Sequence, residues 1–193
     1  PLSTTDFPGR LSATLFCQGC PWSCVYCHNP HLIAAEAPPR RDWPSTLDFL
    51  SRRVGLLDAV VFSGGEPTLQ AGLAVAMRDV RRLGFQIGLH TAGPYPERLA
   101  EILPLLDWVG FDVKAPFKSY ARINGAPGSG VKARESLRLL IESGVEHECR
   151  TTIHPSFDAP RLAALSRSLF ALGARRHILQ AFRAAGCGDA TLN

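Results

Sequence analysis

Six short apolar runs lie along the 193-residue chain, successive ones separated by stretches whose apolar residues recur at helical spacing, and few folds satisfy that alternation. The runs fall at about 11–16, 59–62, 86–90, 108–113, 148–153 and 178–182. Ala59, Val60, Val61 and Phe62 form a wholly apolar run, the mark of a strand covered on both faces. Between the runs, Ser45 is positioned to cap a helix carrying Leu47, Leu50, Val54 and Leu57, with Gly55 as its stop. A second helix is expected over 68–83 with Leu69, Leu73, Met77 and Val80 on one face and Gly84 as its left-handed cap. A short helix starts at Pro96 and ends near Pro104, another spans 131–143 before Gly144, and a last one spans 161–172 before Gly173. Residues 125–130 read as a flexible glycine-rich linker. Alternation of this kind calls for parallel strands joined by right-handed crossovers. Six units fall short of the eight of a closed barrel, so the expected architecture is α/β: a partial, laterally open (β/α)6 barrel with outer helices, in one domain over 1–193. A doubly wound open sheet is the runner-up.

The chemistry is concentrated between the first run and the first helix. Four of six cysteines lie there, and Cys20, Cys24 and Cys27 make a C-x3-C-x2-C run. Thiolates select zinc, copper(I) or iron–sulfur, and a cluster held by three leaves one iron free for another ligand. Counting Cys17 as well, the four sulfurs could instead close a structural zinc site. A disulfide framework is not expected in a chain of this size without a secretory signal at its first residues.

Placed on the strand map, the remaining polar residues gather at carboxyl ends, where parallel α/β folds build their sites. They are Gly64, Gly65 and Glu66 after the second run, then His90 and Thr91, then Asp112 and Lys114. Arg150, Thr152 and His154 follow along the fifth, with Gln180 and Arg183 at the sixth. A zinc staple would not require polar groups at five other strand ends. Simpler readings stand beside each: an acid near a helix start for Glu66, a buried ion pair for Asp112 and Lys114, a rim salt bridge for Arg150, and a plain loop residue for His154. Cys149, Cys187, His147 and His177 read as structural.

A net charge of +4 without a dense basic run gives no footprint for nucleic acid, though it suits an acidic protein partner. No apolar stretch is long enough to cross a bilayer, and a reducing, cytoplasmic setting is expected.

Together Cys20-x3-Cys24-x2-Cys27, Tyr26 before the last cysteine, and Gly64-Gly65-Glu66-Pro67 resemble the radical S-adenosylmethionine (SAM) superfamily. Thr5-Asp6-Phe7-Pro8-Gly9, Cys27-His28-Asn29, Asp112-Val113-Lys114 and Arg150 are similar to its glycyl-radical-enzyme activases, above all the activating proteins of anaerobic ribonucleoside-triphosphate reductase. The resemblance implies a [4Fe-4S] cluster on Cys20, Cys24 and Cys27, with SAM on the fourth iron. It also implies reductive cleavage of SAM and hydrogen abstraction from a glycine of a partner, the reductase's large subunit, with flavodoxin or ferredoxin as electron donor. The roles carried over are backbone approach at Gly64 and Gly65, an acceptor for the SAM ammonium at Glu66 or nearby carbonyls, and Tyr26 near the adenine. Lys114 and Arg150 would hold the carboxylate, while Thr91, Asp112 and Thr152 reach the ribose or sulfonium side. Pyruvate formate-lyase activases carry an Asp where this chain has His90 and a His where it has Arg183, which sets those two positions apart and speaks against a monovalent cation beside SAM. Cys17 lies outside the triad. Two rivals remain: a small-molecule enzyme resembling 7-carboxy-7-deazaguanine synthase, and a zinc-stapled interaction domain without catalysis.

Overall fold

A computed structural model describes residues 1–36, 41–153, 157–183 and 187 of the chain. Among the described residues seven strands lie side by side in chain order: β1 (Leu2–Ser3), β2 (Ser12–Cys17), β3 (Ala59–Gly64), β4 (Gln86–Thr91), β5 (Trp108–Asp112), β6 (Glu146–Ile153) and β7 (His177–Ala181). β2 to β7 are the six expected strands, all parallel, in a sheet curled into a half-barrel with helices outside. β1 was not expected. It adds antiparallel to β2 through Leu2 opposite Ala13 and Ser3 opposite Ser12, too short a segment to leave a periodic signal.

Side chains alternate between the two faces of a strand, and in-register parallel neighbours share a face. One face carries Val60, Phe62, Ile87, Leu89, Val109, Phe111 and Cys149 and forms the main core with the helices. Those helices are α1 (Trp43–Ser51), α2 (Leu73–Arg82), α3 (Pro96–Ile102), α4 (Tyr120–Asn124), α5 (Ser129–Ser143) and α6 (Ala159–Ala171). Leu50, Met77, Leu99, Leu137, Leu140 and Leu169 from the helices are fully buried in it. The opposite, concave face holds a much smaller apolar group of Phe7, Ala59, Val61 and Trp108. Phe7 reaches it from the turn before β2, its ring centroid 5.4 Å from that of Trp108. A Cβ on Gly88 would meet the Phe7 ring at 3.1 Å, so the small residue on β4 makes room for this plug.

Several local expectations are corrected. Asp42, not Ser45, caps α1: its Oδ1 accepts the Ser45 N–H at 2.8 Å, because Pro44 just inside the helix suits the first turn. The helix stops at Ser51, and Val54 lies half exposed beyond it. The long helix over 68–83 is divided, since Pro67–Leu69 forms a 3-10 turn capped by Glu66 and α2 begins only at Leu73. Residues 125–130 are no linker. Gly125 and Gly128 adopt left-handed φ of 72° and 75° to end α4 and begin α5. Gly130 lies within α5 so close to Phe117 that a Cβ would sit 1.8 Å from its carbonyl oxygen. His154 lies outside the described residues. Among the described residues no helix is long and apolar enough to cross a membrane.

Candidate functional site

The cysteine loop is fastened to the carboxyl mouth of the half-barrel at both ends. At its start, Gly65 N–H donates to Cys17 O at 3.0 Å and Glu66 N–H to Gly19 O at 2.9 Å. Gly64, at φ +114°, would place a Cβ 2.4 Å from Cys17 N, and one on Gly65 would lie 2.3 Å from Gly19 O. The room these glycines make is thus occupied by the cysteine loop. Further along, Cys20 N–H donates to Ile33 O, Ser23 N–H to Asn124 O and Val25 N–H to Ile123 O, so α4 holds the second half. Cys17, Cys20, Cys24 and Cys27 are all half-buried and none is in a disulfide.

Lys114 is the cation beside these sulfurs. Its Nζ donates to Asp112 Oδ2 at 2.8 Å, with the two side chains 19% and 34% exposed. The Tyr26 hydroxyl donates to Lys114 O at 3.2 Å, which draws Tyr26 from the cysteine loop onto the end of β5. Burial works against the Lys114 ammonium, but the Asp112 carboxylate, with Tyr26 and Cys24 nearby, holds its pKa well above the ordinary value. Asp112 is lowered: burial opposes its charge and Lys114 and Arg150 outweigh that. Burial pushes the free Cys20 thiol up to about 11 and raises Cys24, whose charge Lys114 favours. Cys17 is pushed to about 12 by burial and then by the adjacent Glu66. Metal binding at such thiols must displace protons, and the lysine assists where Cys20 and Cys24 lie but not at Cys17.

Glu66 is fully buried and already engaged. Its Oε1 accepts from Thr68 N–H at 3.0 Å, the Thr68 hydroxyl at 2.6 Å and the Thr91 hydroxyl at 2.8 Å, and its Oε2 from Ala92 N–H at 3.1 Å. Burial raises its pKa despite those bonds. Glu66 and Thr91 therefore clamp the loops after β3 and β4 together; Thr91 belongs to the helix-facing set of β4, away from the concave face.

The concave face carries a polar ladder. The Nε2 of His90 donates to Asp6 O at 2.8 Å, and its Nδ1 lies 3.3 Å from Ser63 Oγ. Arg150 Nη1 stands 3.1 Å from the same Nε2, and two donors cannot bond there, so the guanidinium is held beside the ring by other contacts. Those are Nε to Glu148 Oε1 at 2.9 Å and stacking 4.8 Å above Trp108. Burial and Arg150 both lower the His90 pKa, leaving a neutral imidazole. Asp6 Oδ2 accepts the Thr14 hydroxyl at 2.6 Å. Thr152 shares this face opposite Gln180. Arg183 meets the cysteine loop through its backbone, its carbonyl accepting from His28 Nε2 at 2.8 Å.

Of the residues that the sequence proposes for one site, the structure places Cys20, Cys24, Tyr26, Asp112 and Lys114 beside one another. It missed Asp6, Phe7, Ser63, Trp108 and Glu148 as site builders. Of these, Glu148 carried a usable signal, an acid two residues before Arg150 on one strand face. Among the described residues no three His, Cys, Asp or Glu side chains gather tightly enough to hold a single metal ion. A four-iron cluster is larger than one ion and spaces its thiolates more widely, and three thiols on one loop next to a lysine are a suitable donor set for it.

A parallel half-barrel with a three-thiol loop at its carboxyl mouth defines a class of cofactor-dependent α/β protein. Residues 14–159 match the model of the radical SAM superfamily, and the chain belongs to that superfamily, whose members use a [4Fe-4S] cluster and SAM. Over 163 residues it is 33% identical to a Methanocaldococcus jannaschii protein named for glycyl-radical enzyme activation, covering 80% of this chain and 66% of that one. It is 28% identical to 7-carboxy-7-deazaguanine synthase of Thermococcus kodakarensis over 72% of this chain and 62% of the relative. The chain thus spans slightly less than two thirds of these relatives. Streptococcus suis SuiB, solved with S-adenosylmethionine, superposes with a TM-score of 0.71 over 92% of this chain and 41% of its own; at 15% identity that is likeness of fold.

Proposed function

We propose that the chain is the radical SAM core of an activase that installs a glycyl radical on a partner enzyme, with the large subunit of anaerobic ribonucleoside-triphosphate reductase as that partner. One observation carries the reading. Thr5 to Gly9, which resembles activases independently of the cysteine motif, is built into the floor of the site: Phe7 on Trp108, and Asp6 bonded to His90 and Thr14. The relative of 33% identity supports the same choice.

Cys20, Cys24 and Cys27 would hold the cluster. When bound, the cluster and SAM supply the one-electron cleavage and hydrogen abstraction, with flavodoxin or ferredoxin as electron source. Lys114 and Asp112, half-open to the mouth, offer a cation and an acceptor to the polar groups of SAM. Both Glu66 oxygens are engaged within the fold, so carbonyls around Gly64 and Gly65 are the better acceptors for the ammonium. Neutral His90, locked Arg150 and the Phe7–Trp108 pair give the site a rigid base that excludes water from below. Arg150 still has Nη2 for a carboxylate, and Thr152 can reach it from β6.

The test is anaerobic reconstitution with iron and sulfide, followed by reduction in the presence of SAM. A brown protein that releases 5′-deoxyadenosine, and gives the reductase subunit a glycyl-radical resonance, is expected. A colourless protein with one zinc per chain would remove the enzyme reading. The likeness to 7-carboxy-7-deazaguanine synthase favours a small-molecule substrate as second reading. SAM cleavage stimulated by a pterin, with no radical on the reductase, would select it.

A further inference from the structure

The stretch that braces the second half of the cysteine loop is basic and free of acids. From Val113 to Arg134 the sequence holds Lys114, Lys118, Arg122, Lys132 and Arg134 without one Asp or Glu, although the chain has 17 acidic residues. On α1, on α2 and later in α5, exposed arginines are paired within their own helix: Arg52 with Asp48, Arg82 with Asp79, and Arg138 with Glu135 and Glu142. Lys114 is engaged by Asp112, but Lys118, Arg122 and Lys132 are exposed and make no ion pair or hydrogen bond among the described residues. They belong to one junction. Gly130, in the first turn of α5, lies against Phe117 O, so Lys132 and Lys118 flank a single contact. α4 joins the two sides and turns Tyr120, Ile123 and Asn124 inward, which leaves Arg122 outside.

This junction is fastened to the metal-binding loop. The carbonyls of Asn124 and Ile123 accept from Ser23 and Val25 N–H, on either side of Cys24. Trp22, between Cys20 and Cys24, meets the Tyr120 ring edge-on at 5.9 Å, and Tyr120 stacks at 5.6 Å on Phe117, the neighbour of Lys118. Two ring contacts therefore separate the loop from the basic surface. A cluster that cleaves SAM must receive an electron from outside, and transfer between proteins demands a short path. Encounters of that kind use small interfaces, brought together and oriented by complementary charge. We infer that Lys118, Arg122 and Lys132 form the docking surface for an acidic one-electron carrier protein, which delivers its electron to the cluster from the α4 side of the cysteine loop. The carrier loses one electron and the cluster gains it, with no bond made or broken. The inference rests on the cluster chemistry of the proposed function and holds for either substrate reading.

The experiment uses the reconstituted chain, SAM and reduced flavodoxin as the carrier. The test variant is Lys118→Glu combined with Lys132→Glu. Arg78→Glu combined with Arg167→Glu, exposed positions on α2 and α6, is the control for the same change in net charge. The readouts are the Kd for flavodoxin by fluorescence anisotropy at low and high salt, and 5′-deoxyadenosine released with limiting flavodoxin or with dithionite, which needs no docking site. The test variant should raise the Kd on the order of tenfold at low salt, with the gap closing at high salt, and slow flavodoxin-driven release while dithionite-driven release is kept. The control should stay within about twofold of the unsubstituted chain. An unchanged Kd in the test variant overturns the inference, as does an equal loss in the control, which would make net charge the cause. A fall in dithionite-driven release also overturns it, making these residues supports of the cofactors. If the unsubstituted chain releases no 5′-deoxyadenosine even with dithionite, the SAM-cleaving reading falls and this inference with it.

Discussion

Gly65→Ala is the substitution that asks most directly whether the cysteine loop is seated as described. Gly65 does not need a left-handed backbone, so the loss cannot be charged to φ. The added Cβ would lie 2.3 Å from Gly19 O, 2.8 Å from Gly19 C and 2.9 Å from Leu32 O, all backbone atoms that no rotamer change can move aside. Ordinary contact needs about 1 Å more, and a shift of that size breaks the Glu66 N–H bond to Gly19 O and strains that of Gly65 to Cys17. Two hydrogen bonds at about 1 kcal/mol each plus overpacking of about 1–3 kcal/mol give a cost of roughly 3–5 kcal/mol. The cost falls on docking of the loop, so iron incorporation should fall further than the far-UV circular dichroism. Gly72→Ala is the control: no left-handed φ, nothing within 4 Å, and an expected effect within about 1 kcal/mol. Urea midpoints and iron per chain after anaerobic reconstitution measure both. A Gly65→Ala protein with the unsubstituted midpoint and full iron would refute the argument.

Cys20→Ala, Cys24→Ala and Cys27→Ala should each abolish the charge-transfer absorption of the reconstituted protein, while Cys17→Ala keeps it; the reverse would reassign the triad. Glu66→Gln replaces one acceptor oxygen with a donor amide facing either Ala92 N–H or the two threonine hydroxyls, and should destabilise the chain by about 1–3 kcal/mol in urea. Asp6 gives a pH dependence. Burial would raise its pKa, yet hydrogen bonds from Thr14 and Ser3 and the nearby His90 and Arg150 bring the net shift below the ordinary value of about 3.9. The stability this contributes is present above pH about 3.9 and is lost as pH falls through the lower folded value. Metal-free protein should therefore lose stability over that acid range, and Asp6→Asn should flatten the curve there.

The alternation of apolar runs and amphipathic stretches sufficed to reveal six parallel strands with outer helices, because a strand covered on both faces and a helix with one apolar stripe leave local, periodic traces. The cysteine spacing likewise marked a metal-binding loop, since thiolates on one short loop need no distant partner to be recognised, but by itself it left zinc and iron–sulfur both open. What local pattern could not contain was the use of side chains across the sheet. Glu66, expected together with nearby carbonyls as the acceptor for the SAM ammonium, has both oxygens engaged by Thr68, Thr91 and Ala92, and the glycines beside it make room for the cysteine loop. The turn around Asp6 and Phe7 is marked in the sequence only by its likeness to activases, with no sign of where it packs, yet it fills the barrel floor. That depends on Gly88 in β4 and Trp108 in β5, both far away in the chain. Residue spacing discloses which groups are available; only closure of the sheet, which brings six strand ends to one mouth, decides which of them remain free to meet a ligand.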